Sequence, residues 1–83
     1  MLVVWQVSTG ASWKNSGMKW TDYNAEYTEI LERLYQDRSM DVLTYKPGNT
    51  PTFETDVASM QQRNLTSGKF RAVRRLLMER TDF

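Results

Sequence analysis

Five cations, Arg63, Lys69, Arg71, Arg74 and Arg75, fall in a stretch with no acidic residue between Asp56 and Glu79. A guanidinium offers parallel N–H donors that match phosphate oxygens, so such a strip can recognise a phosphorylated ligand. Residues 1–45 carry four basic and six acidic side chains, −2, and residues 46–83 carry seven and four, +3, which leaves a net charge of +1. A local basic strip on a nearly neutral chain suits a compact anion better than a long polyanion, which selects a globally basic surface. The plainer reading, and the one that charge alone favours, is a solvated basic strand face.

Other chemistries are closed by composition. The chain has no cysteine and no histidine. That excludes a disulfide framework, a Cys/His zinc site and a Ser-His or Cys-His nucleophile pair. A catalyst would have to rely on carboxylates, lysine or tyrosine. No paired carboxylate or Lys–Tyr constellation stands at a telling spacing, so the residues indicate binding rather than catalysis, with no cofactor.

Elements must position the strip. Leu2-Val3-Val4-Trp5-Gln6-Val7 reads as a strand ending in a turn at Ser8-Thr9-Gly10, and Met18-Lys19-Trp20-Thr21 as its partner, with Trp13 in the loop between them. Tyr27, Ile30, Leu31, Leu34 and Tyr35 recur at i, i+3, i+4, i+7 and i+8, which predicts a helix over about Asn24–Asp37. Asp22 or Asn24 can cap it, and Glu29 precedes Arg33 by four residues. Asp41–Tyr45 is a short strand, Lys46–Pro51 a loop, and Thr52–Asn64 an alternating segment carrying Phe53, Val57 and Met60. After the turn Asn64–Gly68, Lys69–Leu77 resumes as a strand and closes a hairpin. The order implies α+β, an antiparallel sheet wrapping one helix. On the last two strands Met60, Gln62 and Asn64 share one face, as do Lys69, Arg71, Val73 and Arg75.

At 83 residues, with 40% hydrophobic and 25% charged side chains, the chain holds one domain (1–83, core about 3–77, tail 78–83) with a thin core. Ten aromatics must supply much of its packing. No apolar run approaches the ~18 residues that span a bilayer, and the first residues do not form a signal peptide, so membrane and secretory readings are set aside.

Trp5, then Trp20 three residues before Tyr23, then Glu32 three before Tyr35, resemble the pattern that names the WWE domain. Met60-Gln61-Gln62-Arg63-Asn64, Thr66-Ser67-Gly68-Lys69 and Arg71-Ala72-Val73-Arg74-Arg75 resemble that family's closing hairpin, and the likeness runs from Trp5 to Arg75. The resemblance implies a half-barrel of about six antiparallel strands curled around one helix. It implies an intracellular (nuclear or cytoplasmic) module of a ubiquitin-ligase or ADP-ribosyltransferase-type protein, monomeric by itself. Such a module recognises iso-ADP-ribose or terminal ADP-ribose in poly(ADP-ribose) or on modified proteins. By motif, Tyr23 and Phe53 would supply the aromatic wall and phosphate contacts, Gln62 the amide and Arg71 the phosphate-binding guanidinium.

Each residue also has a structural role open to it. Trp5 and Trp20 suit the core, Tyr27 and Tyr35 packing along the apolar stripe of the helix, and Glu32 a structural hydrogen bond or ion pair. Tyr23 is balanced between packing at the helix start and a pocket hydroxyl, and Gln62 could be a solvated amide. Arg74 and Arg75 read as surface or phosphate-steering charges. The rival function is a protein-interaction domain of the same fold without a ligand, which Phe53 and the long first loop around Ser8–Ser16 favour. Single-strand nucleic-acid binding is disfavoured.

Overall fold

The computed structural model describes residues 2–12, 17–46, 48 and 51–79. β1 (Leu2–Ser12) and β2 (Gly17–Asp22) form the first hairpin, followed by α1 (Ala25–Gln36), β3 (Val42–Tyr45), β4 (Phe53–Asp56), β5 (Gln61–Asn64) and β6 (Phe70–Met78). The strands form one open antiparallel sheet in the order β2-β1-β6-β5-β4-β3, and α1 packs against β1 and β3. The α+β class and the sheet around a single helix are as expected.

The helix ends where its chemistry says it should. The Asn24 carboxamide accepts from the Tyr27 backbone N–H at 2.8 Å, and Glu26 lies in the positive first turn. Asp37 closes the other end by donating its backbone N–H to Arg33. Leu31 is fully buried, with Tyr27 and Leu34 packed beside the core, whereas Ile30 and Tyr35 are more than a third exposed. Trp5, Val7, Tyr23, Leu31, Val57 and Val73 make up the core.

β6 joins the two halves of the sheet. Its outer part, Val73–Met78, pairs with β1, and Phe70–Ala72 pairs with β5. Where the β1 ladder stops, the Ser8 hydroxyl accepts the Ala72 backbone N–H at 3.1 Å, so the donor at the corner stays paired.

Three expectations change. β1 runs on to Ser12 instead of turning at Ser8-Thr9-Gly10, with a register irregularity between Thr9 and Ser12; Trp13 lies outside the described residues. Thr52–Asn64 is two strands, because Val57–Met60 forms a turn in which Met60 takes φ 56° and the Asp56 carboxylate accepts the Ala58 N–H. Trp20 is not core: it stands half-buried on the outer face, with the Arg74 guanidinium 4.1 Å above its ring.

Candidate functional site

The hairpin connecting β5 and β6 sets the geometry of the basic strip. The Asn64 carboxamide accepts from the Thr66 and Ser67 backbone N–H groups, and the Gly68 N–H donates to the Asn64 carbonyl at 2.7 Å. Gly68 sits at φ 76°, a conformation that a side chain would strain. This turn places Gln62 directly opposite Arg71, and β4 places Thr55 opposite Gln62 and Leu43 opposite Thr55. Leu43, Thr55, Gln62 and Arg71 are therefore one transverse row on one face of the sheet. Tyr45, Phe53 and Asn64 form the next row on the same face.

A hydrogen-bonded cluster fixes the middle of that row. Thr55 is fully buried, Gln62 is 5% exposed and Tyr23 is buried. The Tyr23 hydroxyl shares a 3.0 Å hydrogen bond with the Thr55 hydroxyl. Gln62 Nε2 donates to the Tyr23 hydroxyl at 3.2 Å and also to the Tyr45 hydroxyl. Burial raises the Tyr23 pKa well above its ordinary value, the dominant influence over its hydroxyl and amide neighbours. Tyr45 packs against Tyr27 with the rings tilted at 41° (4.6 Å between centroids) and lies 5.8 Å from Phe53, which is half-buried. The four candidates thus belong to one face: Gln62 and Tyr23 locked, Phe53 at the aromatic edge, Arg71 exposed at the end of the row.

The basic strip divides by face and by partner. Arg74, on the outer face, donates to Gln6 Oε1 at 2.7 Å and covers Trp20. Arg63 lies 5.7 Å from the Phe70 ring. Arg75 is neither a surface nor a phosphate-steering charge: its guanidinium grips Glu32 with two bonds of 2.7 and 2.8 Å and lies 4.4 Å over Tyr35. Glu32 also accepts from the Trp5 indole at 3.0 Å and from Gln36 at 2.7 Å, so its structural role is as expected. The Arg75 guanidinium, ahead of the other two donors, holds the Glu32 carboxyl down at about 2. Among the described residues Arg71 makes no ion pair, ring contact or side-chain hydrogen bond, so it is the guanidinium on this face left for an anion.

Tyr45 and Thr55 escaped the sequence reading although they orient Gln62. Alternation along Val42–Tyr45 and Phe53–Val57 puts Tyr45 and Thr55 on definite faces, but only strand register brings them to Gln62. Two recesses lie elsewhere. One of about 660 Å³ runs between the start of β1 and α1, and one of about 300 Å³ lies between the end of α1 and Met60. Of the candidates, only Tyr23 lines either of them. Among the described residues no cluster of acidic side chains could hold a metal ion, and no helix is long and apolar enough to cross a membrane.

Comparison with family models matches residues 3–75 to the WWE domain. No curated protein matches the chain.

Proposed function

The chain belongs to the WWE domain family, and from that premise we propose that it recognises ADP-ribose units of poly(ADP-ribose) on behalf of a larger protein of ubiquitin-ligase or ADP-ribosyltransferase type. The family is one of protein-interaction modules that commonly bind poly(ADP-ribose); it is not catalytic. The observation that carries the reading is the pairing of an immobilised amide with an uncommitted guanidinium directly across the β5–β6 ladder. ADP-ribose carries phosphates that stay charged at neutral pH, riboses rich in hydroxyls and an adenine with a flat face. Arg71 supplies a donor fork for phosphate, Gln62 an amide for a ribose hydroxyl or base edge, and Phe53 with Tyr45 an aromatic edge.

Titration calorimetry with iso-ADP-ribose and ADP-ribose tests this. Saturable, one-to-one heat is expected from at least one of them. Arg71 is exposed, so its bond to phosphate is worth the lower part of the range for charged hydrogen bonds, ~1.5–2 kcal/mol. Arg71→Ala should therefore weaken binding roughly 10- to 30-fold, Arg71→Lys should recover part of the loss, and Arg74→Ala on the outer face should have little effect. Folded protein that gives no heat with either compound overturns the reading. The rival, a protein-interaction domain without this ligand, gains support beyond Phe53 and the long first loop, because the Gln62 Nε2 donor is already engaged by two tyrosines. It predicts that silence in the titration.

A further inference from the structure

We propose a second binding surface, the open edge of β1 beside α1, which takes an extended segment of another protein bearing alternating apolar and basic side chains as an added strand. β2 pairs with β1 from Ser12 only as far as Gln6, and the last bond of that ladder runs from the Tyr23 N–H to the Trp5 carbonyl at 2.9 Å. Asn24 then turns the chain into α1. Leu2–Val4 is thus paired with β6 on one side and, among the described residues, with no strand on the other.

Backbone parity says which groups face that side. In an antiparallel strand the N–H and C=O of one residue point to the same neighbour, and successive residues alternate. The Trp5 carbonyl points away from β6, toward Tyr23, so the Val3 N–H and C=O point the same way, into the open edge. The recess of about 660 Å³ lies there, lined by Leu2, Val3 and Val4 on one side and by α1 on the other. Leu2 and Val4 leave one face of the strand and Val3 the other, so a recess touching all three follows the edge rather than either face. A strand edge beside a helix wall offers a peptide main-chain bonds and side-chain contacts at once.

Charge identifies the occupant. The recess is lined by Asp22, Glu29, Glu32 and Asp37 against a single cation, Arg33. Glu32 is neutralised by Arg75, which leaves three exposed carboxylates, Asp22, Glu29 and Asp37, against Arg33 along the rim. Asp37 also stands at the negative end of the helix dipole. Leu2, 53% exposed, offers the apolar contact. An extended peptide with lysines or arginines between apolar residues complements all three features.

The test uses a capped eight-residue peptide alternating lysine with valine. Amide NMR on the whole chain should show shifts at Val3, Trp5, Glu29 and Gln36, and hydrogen exchange at Val3 should slow at least tenfold at saturation. The double variant Glu29→Lys, Asp37→Lys should bind this peptide at least tenfold more weakly and prefer a glutamate–valine peptide, with ADP-ribose titration unchanged. Methylating the peptide's amide nitrogens along the pairing edge should abolish the shifts. The proposal fails if the methylated peptide binds as well, if the glutamate–valine peptide binds the parent as tightly, or if millimolar peptide moves none of these amides. It also fails if Val3 is protected by self-association without peptide, since a second copy of the chain would then be the occupant.

Discussion

The candidate site turns on one amide held by two phenols. Gln62 is almost wholly buried, so its Nε2 hydrogens need partners, and the hydroxyls of Tyr23 and Tyr45 provide them. Tyr45→Phe removes one acceptor and should cost about 1 kcal/mol. Tyr23→Phe deprives both Gln62 and the buried Thr55 hydroxyl, and should cost about 2 kcal/mol. Urea denaturation of the two variants checks the order, and equal losses would mean that Thr55 finds another partner. The phenol adds a pH signature. Because burial raises its pKa in the folded state, the unfolded chain loses that proton first. The stabilisation is present in full below the ordinary phenol pKa near 10 and is lost as pH rises through the folded value. Absorbance of the tyrosinate form should show an alkali-resistant phenol that ionises only as the protein unfolds and that is missing from Tyr23→Phe.

Among the elements, the helix was the most legible and the strands the least. Helical period and a capping asparagine are local signals, and α1 with Asn24 and Asp37 at its ends matches them. Strand face is local too, so Arg71 and Arg74 were separable by alternation. Register is not local. Nothing in the residues of β3 and β4 says that Tyr45 and Thr55 meet Gln62, and nothing near Arg75 says that it reaches Glu32, 43 positions earlier. The turn at Val57–Met60 was missed because it contains neither glycine nor proline, with Met60 itself taking the left-handed conformation. The Glu32–Arg75 fork ties α1 to β6 and yields a prediction at this scale. The Glu32 pKa is depressed from 4.5 to about 2, so its contribution is full above 4.5 and declines as pH falls towards 2. Glu32→Gln should destabilise the chain by about 1–2 kcal/mol at pH 7, a moderate figure because the pair is partly solvated. The gap between parent and variant, measured by denaturation, should narrow between pH 5 and pH 2. A gap independent of pH would assign the effect to packing around Trp5 instead.

As a whole the molecule is a small sheet whose halves meet on β6 and around one helix. The core residues Trp5, Val7, Tyr23, Leu31, Val57 and Val73 come from both halves, which favours a single cooperative transition. A domain of this size is stable by roughly 4–12 kcal/mol, so one bound ligand is a large perturbation. All three tryptophans lie between residues 5 and 20, whereas Phe53, Gln62 and Arg71 lie on β4, β5 and β6. Tryptophan fluorescence therefore reports the β1–β2 half while the proposed ligand binds the other. At 100 times its Kd a ligand adds ~2.7 kcal/mol, which for a domain of this length raises Tm by roughly 10–20 °C. If the halves unfold together, fluorescence and far-ultraviolet circular dichroism should shift by the same amount. In Arg71→Ala the same ligand concentration is only about 3–10 times the weakened Kd, so the shift should shrink to roughly a third to a half. A circular-dichroism midpoint that rises while the fluorescence midpoint stays in place would show β3–β5 unfolding separately. The shared strand would then join two units without coupling them.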